Sequence, residues 1–168
     1  MHEPETNELT QVLGGDSAAA APAVILAGIS EDQVHRHIPL APHTIFQELW
    51  HITFWQQVTL DWVRGIETPF PANAAAGFPS ESTLSEGWDQ LCKRFFDGND
   101  EAVAVARDPA RLNVLINCPS RPGQPTRTMT VREQLESLGA HNHYHFGRVV
   151  LLRQLIGAWP PPSGGYSW

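Results

Sequence analysis

Two histidines stand four residues apart near the end of this chain, His141 and His145, in the segment Gly139 to Arg153, GAHNHYHFGRVVLLR. Leu135, Leu138, Val149, Leu152 and Ile156 recur around them at helical spacing, so one helical face carries both imidazoles. On an α-helix, residues four apart are separated by about 40° around the axis and about 6 Å along it. Two side chains at that spacing can converge on one ion. Such a pair is a two-toothed metal clamp. Histidines at this spacing also cap helix ends or pair with carboxylates, and the spacing alone leaves these readings open.

A third histidine has a different setting. Thr44 to Arg64, TIFQELWHITFWQQVTLDWVR, reads as another helix, and His51 lies in it among Leu49, Trp50, Ile52, Phe54 and Trp55. An unpaired polar group in so apolar a neighbourhood costs roughly 1–3 kcal/mol. His51 is therefore either a core histidine bonded to a backbone or side-chain group, or a third metal ligand.

The runs LWHITFW around His51 and HNHYHFG followed by LLRQLIGAW resemble the DinB/YfiT-like superfamily of small bacterial metal-binding four-helix bundles. With the order of segments, the resemblance covers most of Ile38 to Trp159, and the region before Pro39 matches loosely. It implies His51, His141 and His145 as the ligands of a divalent ion. It also implies a homodimer, and chemistry in which some relatives transfer or isomerise groups with thiols such as bacillithiol, mycothiol or glutathione. Many relatives carry Gly-Gln where this chain has Gly147-Arg148, so any role of that glutamine is not carried over.

Three neutral imidazoles suit zinc, or nickel or another first-row divalent ion, better than calcium or magnesium, which prefer oxygen. Structural zinc usually has four protein ligands, so three leave a coordination position for water, substrate or a thiol. Glu48 and Gln47 lie one turn from His51 and are candidates to orient it. Arg148 falls on the ligand face, where it would bind a carboxylate of a substrate or thiol cofactor, or bridge to a neighbouring helix. His143 is about 200° from His141 around the axis and is expected to be exposed or hydrogen bonded. Tyr144 recurs in the family motif, and its ring would pack between helices.

The first functional expectation is a metal-dependent thiol S-transferase or isomerase acting with a small-molecule substrate. Metal-assisted hydrolysis is the second, weakened by the lack of a His-Glu-x-x-His unit and of an assigned general base. The third is a non-catalytic, stress-associated metal-binding module.

Composition narrows the classes further. A length of 168 residues with 42% hydrophobic content suits a single domain over 1–168 with an adequate core. The formal charge is −7 and the only lysine is Lys93, with the arginines scattered, so a phosphate backbone finds no concentrated basic surface and nucleic acid is not an expected partner. The longest apolar run, Ala18 to Ile29, is too short to span a bilayer and holds Pro22 and Gly28. No membrane span or secretory signal is expected, which makes the cytoplasm the default compartment. Cys92 and Cys118 are accordingly expected as reduced, ordinary thiols, the first in a helix and the second in a Pro-rich loop.

The elements that position the histidines are predicted as an all-α four-helix bundle with long connections. Glu5 to Leu13 is a short amphipathic helix ended by Gly14-Gly15, and a second piece resumes near Pro22 within Ala18 to Gly28. Ser30 to His43 reads as a connector whose histidines, His35, His37 and His43, are solvated, with His43 at the rim of the site. Thr44-x-x-Gln47 caps the second helix, which ends at Gly65. Ile66 to Ser80 is a loop able to shape a pocket mouth. The third helix runs from about Thr83, with an interruption at Gly98-Asn99 and a resumption over Asp100 to Arg107. Asn117 to Thr128, with three prolines, is a long connection, and Thr130-x-x-Glu133 caps the last helix. The Pro-rich tail at 159–168, including Trp168, is expected to dock on the bundle or on a second subunit.

Overall fold

The computed structural model describes residues 7–15, 17–80 and 85–164. Three long helices dominate it. The first of them, α4 (Ile45–Val63), starts with the predicted capping box, in which Thr44 Oγ1 accepts from the Gln47 backbone N–H and Gln47 returns the bond to Thr44. Gly65, at φ 82°, supplies the left-handed turn that stops it. The last helix, α7 (Val131–Leu155), opens the same way with Thr130 and Glu133. Between them lies α5 (Trp88–Ala106), capped by Gly87; the expected start at Thr83 lies outside the described residues.

Gly98-Asn99 does not interrupt α5. Its glycine serves helix packing instead. A Cβ on Gly98 would come within 2.5 Å of the Gln56 carboxamide on α4, so the missing side chain admits that group. With its nitrogen turned to the Phe95 carbonyl, at 3.1 Å, and its oxygen to the Asn99 backbone N–H, at 3.0 Å, this buried amide is satisfied by the backbone of α5.

Short elements fill the fourth position of the bundle. Helix α1 (Glu8–Gly14) is capped by Asn7 and Thr10 and ended by Gly15, and α2 (Pro22–Leu26) uses Pro22 in its first turn, as the sequence suggested. The connector after it contains a single helical turn, α3 (Glu31–Val34), which Ser30 and Gln33 cap. After α5 comes α6 (Pro109–Leu112), opened by Pro109. The expected long connection over Asn117 to Thr128 is in part a hairpin: β1 (Leu115–Cys118) pairs antiparallel with β2 (Arg127–Thr130), Ile116 facing Met129. Only one short strand alternates buried and exposed residues, too brief a signal for period-two patterning. Cys118 therefore sits on a strand, not in a loop.

Helices α4 and α7 run antiparallel and bury two cores, one at each end. Phe46, Leu49 and Ile52 from the first half of α4 meet Phe146, Val149 and Leu152 from the last half of α7, with Leu91 and Phe95 of α5. Leu60 and Trp62 from the other half meet Val131, Leu135 and Leu138, with Val105 and Leu112. Each fully buried aliphatic or aromatic side chain contributes about 1.5–3 kcal/mol, and Leu49→Ala would cost about 2–5 kcal/mol. His51, in the first half of α4, and His141 and His145, at the middle of α7, fall between the two cores.

The tail packs on the bundle as far as it is described: Pro161 is buried, and Pro162 lies so close to Gly28 that a Cβ there would be 2.6 Å from it. The last four residues, with Trp168, lie outside the described residues. Buried Arg153 ties the ends together. Its guanidinium donates to the carbonyls of Ile25, Ala27 and Ala158, and stands over the Trp159 ring. Among the described residues, no helix is long and apolar enough to cross a membrane.

Candidate metal centre

The antiparallel pairing of α4 and α7 brings together the three histidines that the sequence singled out. One ligand atom from each of His51, His141 and His145 lies within 4.8 Å of the others, a grouping that can hold a metal ion. The Nε2 atoms of His51 and His141 are 3.2 Å apart, and the His145 ring centroid is 4.5 Å from each of the other two.

Hydrogen bonding at the outer nitrogens decides which atoms face inward. His51 Nδ1 donates to the Gly77 carbonyl at 2.6 Å. A carbonyl only accepts, so the proton is on Nδ1 and Nε2 keeps its lone pair. His145 Nδ1 is 2.7 Å from the Glu48 carboxylate, which fixes the same tautomer and leaves its Nε2 as the inner donor atom. Lone pairs aimed at one point repel unless a proton or a cation lies between them, and three imidazoles match the preference of a first-row ion. The donor set therefore fits a divalent metal.

Burial favours the neutral rings that ligation needs. Desolvation holds His51 below its usual pKa against the raising effect of the Gly77 hydrogen bond. His141 is pushed down to about 4, first by burial and then by the neighbouring imidazoles of His145 and His51. His43 is lowered as well, chiefly by burial.

The supports differ from those expected. Neither Glu48 nor Gln47 orients His51, because Gln47 is engaged in the helix cap and Glu48, fully buried, turns to His145 and to Arg148. The partner of His51 is a loop carbonyl. Gly77 ends a 3-10 helix, Ala74–Gly77, and the next residue, Phe78, is sandwiched between His51 at 4.1 Å and His43 at 3.8 Å. The sequence marks this segment only as a loop able to shape a pocket mouth, because a backbone carbonyl has no signature in side-chain sequence.

A pocket of about 530 Å³ opens beside the centre, lined by His51, His145, Trp55, Phe70, Arg121 and Arg148 among others, with His43 in its wall as the rim position predicted. His141 instead lines a smaller cavity of about 190 Å³ next to Trp55 and Phe70. Arg148 makes the interhelical bridge: its guanidinium is 2.8 Å from Glu48, and it also forms pocket wall. Arg121, which the sequence did not single out, reaches over the Phe70 ring. Tyr144 is 64% exposed and does not pack between helices. His143 points away from the centre as expected, with Nδ1 donating to the Gly139 carbonyl at 2.8 Å. His35 and His37 are exposed.

Neither cysteine belongs to the centre. Burial, with Asp89 and Glu31 nearby, pushes the Cys92 thiol up to about 12, and burial raises Cys118 too, so both are poor nucleophiles.

No curated protein matches this chain. The family model of the DinB superfamily matches residues 18–149, so the match begins well before Pro39 and takes in α2, α4 and α7 as far as residue 149, with all three clustered histidines. Fold, histidine cluster and family match agree, and the chain belongs to the DinB superfamily.

Proposed function

We propose that His51, His141 and His145 bind a divalent first-row ion, zinc by donor chemistry, and that the protein is a metal-dependent transferase or isomerase working with a low-molecular-weight thiol. The observation that carries this reading is the convergence of inward-facing ring nitrogens beside a 530 Å³ pocket. A bound divalent ion supplies Lewis acidity, lowering the pKa of a water or thiol that it coordinates.

The residues of the chain do the rest. Glu48 keeps the His145 ring in place and in the right tautomer, and Arg148 balances the buried carboxylate. Arg121 and Arg148 give the pocket two cations, suited to the carboxylates of a thiol cofactor or an acidic substrate. Trp55, Phe70 and Phe78 supply apolar wall against which an acyl or aryl group packs and from which water is displaced. No Cys, Ser or Thr is among the described residues lining the pocket, which favours a nucleophile brought in from outside.

The test begins with elemental analysis of protein purified without an affinity tag or added metal. Metal-loaded protein is then assayed against electrophiles with bacillithiol, mycothiol and glutathione in turn. Turnover that vanishes in His51→Ala supports the reading. Metal binding without turnover on any of the three removes the transferase, and a hydrolase screen then separates hydrolysis from a non-catalytic role.

A further inference from the structure

On α7, Asn142 and Phe146 are about 100° around the axis from His141 and His145. They face a different space: a cavity of about 450 Å³ between α7, α5, the end of α1 and the segment that leads into α2. Val12, Ile25, Phe146 and Val150 make most of its wall apolar. Two carboxamides, Asn99 of α5 and Asn142 of α7, and the His143 imidazole interrupt that wall. The two asparagines are 7% and 5% exposed; Asn99 Oδ1 is buried without a hydrogen-bond partner among the described residues, and Asn142 Oδ1 has none of ordinary geometry, with the His141 ring as a nearby polar group.

A native interior rarely leaves acceptors without a well-formed hydrogen bond in the wall of one cavity, and such groups ask for a partner that the described residues do not supply. The terminal torsion of an asparagine is soft, so either amide can turn toward a guest in the cavity. Gly147 adds an independent observation. A glycine inside a helix is destabilising relative to alanine and usually has a packing reason. Gly139 has one, since a Cβ there would come 2.6 Å from Val12. Gly147 has none: a Cβ would meet nothing within 4 Å, and the residue lines the cavity. Its missing side chain keeps the space open.

The lining also limits what enters. Among the described residues no Asp, Glu, Lys or Arg reaches this cavity, and the ionisable group that does, His143, is engaged with the Gly139 carbonyl and Ser17, so an ionic guest would lose its hydration without a fixed counter-charge. We infer that the cavity is a binding site for a compact, uncharged, mostly apolar molecule carrying an N–H or O–H donor, which the Asn99 or Asn142 carboxamide accepts. The site adjoins the metal centre at Asn142, beside His141, but the inference does not depend on the metal reading.

Matched probes test it. Indole and phenol are titrated into the full-length protein beside indene and toluene, close in size but without the donor, and followed by melting temperature and by amide chemical shifts. Indole and phenol should stabilise the protein and perturb α7 around Asn142, because a ligand selective for the native form raises its melting temperature. The donor-free partners should bind at least about fivefold more weakly, a difference that Asn142→Leu should erase. Gly147→Phe, with its ring in the opening, should abolish both responses while circular dichroism shows the helices intact. Equal binding within the matched pairs, no response to indole or phenol, or undiminished binding in both variants overturns the inference.

Discussion

His145 and His51 present the same atom to the same point and are held there by different means. His145 is fixed by a carboxylate on a facing helix, and that carboxylate is fully buried and paired with Arg148. His51 is fixed by the carbonyl of a loop and by the ring that follows it. The helical support is charged and enclosed by packed secondary structure, whereas the loop support is neutral and belongs to a segment with fewer neighbours. One half of the centre is thus built with the bundle, and the other half is closed by the loop over it.

The comparison can be broken first at the ligands. His51→Ala and His145→Ala should each abolish stoichiometric zinc uptake in elemental analysis despite their unequal supports; a variant that keeps the ion removes that ligand from the set. Next comes the helical support. Glu48→Ala strands the His145 Nδ1 proton and the Arg148 charge, and should lower zinc affinity by about tenfold to a hundredfold in a competition titration. It should also cost about 2–3 kcal/mol in urea unfolding, since half of a largely buried pair remains.

Acidification probes the rings themselves. His141 titrates near 4 when folded and near its ordinary 6.5 when unfolded, so between those values the unfolded chain binds more protons. Stability of the metal-free protein should therefore be full above pH 6.5 and fall as the pH drops toward 4, measured as urea midpoints at pH 7 and pH 5. Equal midpoints would contradict the burial of His141. The smallest effect is expected at the loop. In Gly77→Ala the new Cβ would lie 3.4 Å from the His51 ring and 3.5 Å from Trp55 Nε1, ordinary van der Waals contacts. Zinc affinity should fall by less than about fivefold, below the Glu48→Ala effect; a larger loss would make the loop the dominant support.

These two halves were not equally legible in the sequence. That the pair on α7 shares one face follows from helical spacing, which left its role open until the family resemblance joined it to His51. The apolar neighbours of His51 marked it as either a core histidine or a third ligand, and the capping boxes of α4 and α7 were readable from hydroxyl and acidic or amide residues three apart. The role of Glu48 was misplaced, since adjacency on one helix suggested His51 while the bundle turns that carboxylate toward the other helix. Gly77, Phe78 and Arg121 come from loops, whose path depends on contacts that no local pattern encodes. Gly98 misled for a related reason: a glycine reads as a helix breaker until the side chain that needs the gap is known.

Arg153 lies at 0% exposure with its cationic head resting on main-chain oxygens from both ends of the chain rather than on any carboxylate. Such a head cannot shed its proton, so it must keep those oxygens or find water. Trimming the polypeptide ahead of Ile29, or cutting it after Leu155, would strip away part of that cradle and leave a bare positive charge in an oily interior. Beginning and end of this protein are in effect a single clasp, and neither half can be removed as though it were ornament.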